Sequence, residues 1–86
     1  MGWVYVITNK SYKPNLVKIG FTQNDNPRTR VRNLFNTSVP KPFDIDFLVW
    51  DKDPMTLEKK LHEQFSYSRE NINREFFNIY PYEVKM

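Results

Sequence analysis

Glu58 and His62 stand four residues apart in the stretch DPMTLEKKLHEQF. On a helix that spacing puts a carboxylate and an imidazole on one face, one turn apart. Such a pair could hold a hard metal ion and carry a proton. It is also an ordinary pattern for a helix surface, and a lone carboxylate suits Mg²⁺ only when phosphate and water supply the other ligands. Tyr5, in WVYVIT, and Lys18, in LVKIGF, lie in two apolar runs joined by the polar loop NKSYKPN. A phenol ionises near pH 10, so it acts as a base at neutral pH only when cations stabilise the phenolate. Lys18 and a nearby arginine are cations of that kind; packed strand residues are the plainer alternative. Arg28, Arg30 and Arg32 follow in NPRTRVRNLFN. Guanidinium forks match phosphate oxygens. At helical spacing Arg28 and Arg32 share a side and Arg30 takes the other flank, so the three cannot all grip one phosphate.

These side chains need elements to aim them. WVYVIT (Trp3 to Thr8) and LVKIGF (Leu16 to Phe21) are β-branched and aromatic and read as two strands of a hairpin. Gly20 marks the end of the second strand or a close backbone approach. Asn26 can cap a helix that has Pro27 in its first position, with Val31, Leu34 and Phe35 as its buried stripe. FDIDFLVW (Phe43 to Trp50) predicts a third strand, half exposed at its start and buried at its end. Asp53 and Pro54 open a second helix whose core stripe is Leu57, Leu61 and Phe65. The aromatic tail EFFNIYPYEVKM packs back on the sheet, as strand or as irregular chain. The order is β-β-α-β-α plus a tail: an α+β domain with a small three-stranded antiparallel sheet flanked by helices.

The chain of 86 residues reads as one domain over 1–86. It has no cysteine, so no disulfide and no thiolate metal site; seven Phe, five Tyr and two Trp must supply the packing. No apolar run approaches the roughly 20 residues of a membrane span, and no signal-peptide pattern opens the chain. The expectation is a soluble intracellular protein. The net charge of +3 conceals an asymmetry. Residues 1–41 carry seven Lys/Arg, among them Lys13 and Lys41, against one acid, Asp25; residues 42–86 carry six bases and nine acids. A basic half suits phosphate binding, although scattered solubilising charge gives the same count.

The order of these pieces is more specific than any one of them. VYV, then VKIGFT, RVRNL, VPKPF, EKKLHEQF and REFF resemble the GIY-YIG nuclease superfamily. The resemblance is closest to its small phage and meiosis-associated branch, often described as a phage DNA-binding domain, and runs from Trp3 to Phe77. It implies a metal-dependent endonuclease that hydrolyses DNA phosphodiesters, with Mg²⁺ or Mn²⁺ as cofactor and DNA as partner. On that resemblance Tyr5 takes part in activating the attacking water, and Lys18 stands where most of the superfamily has a second tyrosine. Arg30, four residues before Leu34, matches the phosphate clamp, with Arg28 the alternative. Glu58 matches the single metal ligand, and His62 orients water or carries a proton. Lys13, Arg28, Arg32 and Lys41 are expected to contact the nucleic-acid backbone. Trp3 replaces the first-motif glycine, and Asn71 or Asn73 is the candidate for a third-motif asparagine. The rival reading is a DNA-binding module that keeps the fold without turnover. A binder, however, gains nothing from a glutamate beside phosphate.

Overall fold

A computed structural model describes residues 1–35, 39–69 and 76–84. Strand β1 (Gly2–Thr8) runs antiparallel to β2 (Val17–Thr22) on one side and to β3 (Asp44–Asp51) on the other. A fourth strand, β4 (Phe76–Phe77), pairs with the start of β2, so the sheet order is β3-β1-β2-β4. The expected third strand is therefore joined by a fourth, taken from the aromatic tail. Two residues carry too little periodicity to announce a strand. Phe77 becomes one because its register partner, Val17, lies in a fully buried position.

Helix α1 (Pro27–Asn33) begins where the Asn-Pro pair predicts. The Asn26 side chain accepts the Arg28 backbone N–H at 3.1 Å, satisfying one of the helix's orphan donors. Helix α2 (Pro54–Gln64) starts the same way, with Asp53 accepting from the Thr56 backbone and hydroxyl. Hydrogen bonds to the charged carboxylate hold the Asp53 pKa below its usual value, the Thr56 hydroxyl being the larger cause and the Thr56 backbone N–H the second.

The helices cover opposite faces of the sheet. Alternation along β1 sends Val4 and Val6 to one side and Tyr5 and Ile7 to the other. Val4, Val6, Val17 and Ile19 pack with Leu61 of α2 and its C-cap Phe65, and with Phe77, Ile79 and Val84 of the tail. Tyr5 and Ile7 pack with Val31 of α1, with Leu34, Phe43, Ile45 and Leu48 at the margin. A bulge in β3 makes the second cluster possible. Val6 faces Phe47 but Ile7 faces Ile45, so Asp46 is the extra residue. Without that slip Asp46 would lie opposite Ile7 on the core face. With it, Asp46 stays in solvent and accepts the Thr8 hydroxyl at 2.8 Å.

Besides the strand number, two expectations are corrected. Strand β3 is not buried at its end: Trp50 is 49% exposed and Phe47 39%, because β3 is an edge strand that neither helix covers fully. Phe35 is 43% exposed and lies past the end of α1, so the buried stripe of that helix is Val31 with Leu34 half-buried.

Candidate functional site

Tyr5 and Gly20 are register partners on the α1 face. The tyrosine ring lies across the glycine, whose missing side chain makes the space: a Cβ at Gly20 would collide with the phenol oxygen and ring carbons. That is the physical reason for glycine in VKIGF, since the backbone at Gly20 is ordinary and has no positive φ. Tyr5 is only 1% exposed. Lys18 lies two residues before Gly20 and so on the same face, diagonal to Tyr5, where such neighbours lie roughly 7–8 Å apart. Its ammonium sits 5.1 Å from the centre of the Phe76 ring, a cation–π contact across the β2–β4 pair.

Helix α2 approaches the same peptide from the other side. The Ile19 carbonyl, which belongs to the Ile19–Gly20 peptide, accepts from His62 Nε2 at 2.8 Å. A carbonyl only accepts, so the imidazole carries a proton on Nε2. The ring is also tilted against Phe77, with centroids 5.0 Å apart. Glu58 Oε1 stands 3.8 Å from the same nitrogen, and both side chains are only 13% exposed. The helix therefore turns the Glu58/His62 face onto the β2 backbone beside its Leu61/Phe65 stripe, as the i, i+4 spacing predicts. A continuous path joins the two candidate halves: Tyr5 on Gly20, the Ile19–Gly20 peptide, His62, Glu58. With Nε2 committed to the backbone, His62 has only Nδ1 left for proton transfer.

Helix α1 lies over Tyr5 through Val31. Arg28, Arg30 and Arg32 are all exposed, and none forms an ion pair among the described residues. The flanks of the buried Val31 thus present guanidinium groups free to meet an anion. Lys13 and Lys41 sit elsewhere, at the β1–β2 turn. Asn9, 3% exposed, holds that turn by accepting the Ser11 N–H at 2.9 Å and donating to the Lys41 carbonyl at 2.6 Å. Asn71, Asn73, Arg74 and Glu75 lie outside the described residues.

Among the described residues no three His, Cys, Asp or Glu side chains converge on a point. A cage built from protein ligands alone is thus not present there. A lone carboxylate such as Glu58 would need phosphate oxygens and water to complete a site for a hard ion such as Mg²⁺.

The sequence pointed to Tyr5, Lys18, Glu58 and His62 individually but not to what joins them. The Ile19 carbonyl is a backbone acceptor and leaves no trace in residue type. Gly20 was the one signal that could have located the junction. No helix among the described residues is long and apolar enough to cross a membrane.

Comparison with known proteins gives no match among curated proteins or solved structures. One family does match, over residues 2–86, and so takes in both strands of the hairpin, both helices and the tail. The chain belongs to the T5orf172 domain family, a phage-associated domain related to the GIY-YIG/HNH-like nucleases.

Proposed function

We propose that the domain is a divalent-metal-dependent endonuclease of the GIY-YIG type, acting on nucleic-acid phosphodiesters and most readily on DNA. The observation that carries the reading is the path through the Ile19–Gly20 peptide. Tyr5 meets it from one face of the sheet and the His62/Glu58 pair from the other. The sheet lies between the two groups, and the shared Ile19–Gly20 peptide fixes the position of one relative to the other. Membership of a nuclease-related family supports the same conclusion.

In this reading the chain's own groups divide the work. Arg30 binds a non-bridging phosphate oxygen and stabilises the charge that builds there. Lys18 lowers the cost of a phenolate at Tyr5, and the Tyr5 oxygen takes the proton of the attacking water. His62 is a positioning residue: it ties α2 to β2 and fixes Glu58 relative to the peptide that seats Tyr5. Glu58 would hold the Mg²⁺ or Mn²⁺, which when bound neutralises charge at the leaving oxygen. Hydrolysis leaves a 5′-phosphate and a 3′-hydroxyl.

The burial of Tyr5 favours a second reading, a DNA-binding module that keeps the fold without turnover. Plasmid and single-strand cleavage with Mg²⁺ or Mn²⁺, against EDTA, separates the two. Glu58→Ala should abolish cleavage and leave DNA binding equal or tighter, since a charge that repels phosphate is gone. In the same series Arg30→Ala should slow single-turnover cleavage about a hundredfold or more, near 3 kcal/mol of barrier. Arg28→Ala and Arg32→Ala should mainly weaken binding and flatten its salt dependence. A larger rate loss in Arg28→Ala transfers the clamp to Arg28. Wild-type protein that binds DNA tightly and never cuts it establishes the binding module.

A further inference from the structure

The turn end of the hairpin carries a second feature. A cleft of about 380 Å³ opens beside the β1–β2 turn, lined by Lys10, Lys13, Tyr12 and Asp44 and closed on one side by Pro81. Pro81 is the middle of the tail segment Tyr80-Pro81-Tyr82, and the two tyrosines flanking it stack, with ring centroids 5.3 Å apart and planes 18° from parallel. Tyr82 is 70% exposed and Tyr80 43%. Two stacked phenols presented to water are an unusual use of apolar area.

The stack is held in place. Ile79 and Val84, on either side of it in sequence, are each 3% exposed and anchored in the α2-side core. Between them the chain makes one tight turn, with the Glu83 N–H donating to the Tyr80 carbonyl at 3.0 Å and the Tyr80 N–H donating to Glu83 Oε2 at 2.6 Å. The platform is thus ordered before any ligand arrives, which removes much of the entropic cost of binding. The cations beside it are equally available. Lys10 and Lys13 are exposed and make no ion pair among the described residues, and the Asn9–Lys41 tie brings a third lysine's backbone to the same turn.

We infer that the Tyr80/Tyr82 stack and the Lys10/Lys13 turn form a binding site for an unpaired nucleotide segment. This rests on the nucleic-acid reading above and adds the kind of substrate. An exposed aromatic platform stacks a base only when that base is free of its own duplex, and stacking tolerates any base because each has a π-face. The lysines meet the flanking phosphates. Asp44, an acid that would repel phosphate, suits the amino group of a base. A strand rises about 3.3 Å per residue, so the cleft at Thr8 lies on the order of 10 Å along β1 from Tyr5. Thr8 alternates with Ile7 to the α2 side, so the cleft and Tyr5 stand on opposite faces of the sheet.

The test is binding in EDTA, where no cleavage interferes, using fluorescein-labelled 12-mers of single-stranded DNA, single-stranded RNA and duplex DNA. Tyr82→Ala should weaken single-strand binding about tenfold and leave duplex binding unchanged, while Tyr82→Phe binds as wild type. Lys10→Met/Lys13→Met should reduce the slope of log affinity against log salt for single strands by about 1.4. The DNA and RNA arms decide which sugar is preferred. Because Tyr82 is exposed, melting curves of its variants should match the wild type. Single-strand affinity unchanged in Tyr82→Ala, or lost equally with duplex affinity, overturns the inference. Tyr82-dependent binding by a protein that never cleaves leaves the inference standing and removes only the nuclease reading; cleavage with no role for Tyr82 does the reverse.

Discussion

The two faces of the sheet are built on different terms. On the α2 side nine buried residues interlock among the described residues, drawn from β1, β2, α2 with its C-cap, and the tail, and none of these is charged. On the α1 side the buried cluster has three members, one of them a tyrosine, and the rest of the packing is half-exposed. The larger face carries the stability of a domain too small to have much to spare. The smaller face is thin, and on it stand Tyr5, Lys18, the absent side chain of Gly20 and the arginine-bearing α1. On the proposed reading that face binds an anion, and a face sealed in aliphatic carbon could not. Glu58 and His62 escape this division only because α2 reaches the β2 backbone at the Ile19–Gly20 peptide.

The division predicts unequal damage. Phe77→Ala, on the α2 side, removes a fully buried ring and should cost about 3–5 kcal/mol. Leu34→Ala, half-buried on the α1 side, should cost well under half as much in the same urea titration. Equal losses would mean that the small face is as structural as the large one. At the boundary, Gly20→Ala drives a methyl into the Tyr5 ring and should cost about 1–3 kcal/mol by overpacking. That loss should shrink when combined with Tyr5→Ala, which empties the space. Additive effects in that double-mutant cycle would show that the ring is not seated on the glycine. The smallest effect lies at the start of α2. Asp53 has a lowered folded-state pKa, so its contribution is complete above the ordinary aspartate value near 3.9 and is lost as pH falls through the lower folded value. Asp53→Asn can still cap but cannot titrate. Wild-type stability should therefore fall more steeply than that of Asp53→Asn below about pH 4.

What the sequence made legible follows the same physics. Asn26-Pro27 and Asp53-Pro54 located both helix starts because capping is local. The alternation of β1 and the Leu57/Leu61/Phe65 stripe located the α2-side core because burial there is periodic. Gly20 announced a close approach without naming Tyr5 as what approaches. Strand β4 stayed hidden because two residues form it only through a distant partner. The exposure of Trp50 and Phe47 was equally hidden, since an edge position is a property of the whole sheet. The same holds for the Tyr80/Tyr82 platform, which read only as an aromatic tail until Ile79 and Val84 were seen to anchor it.

Tyr5→Phe tests the central claim most directly, because it removes one oxygen and keeps nearly all of the buried ring. Single-turnover cleavage under chemistry-limiting conditions should collapse, by about a hundredfold or more, while the melting temperature moves little. Lys18→Met should then shift the pH–rate profile upward, since a phenol without its cation ionises later. A Tyr5→Phe protein that cleaves DNA at the wild-type rate would contradict the account and return Tyr5 to the core as an ordinary buried ring.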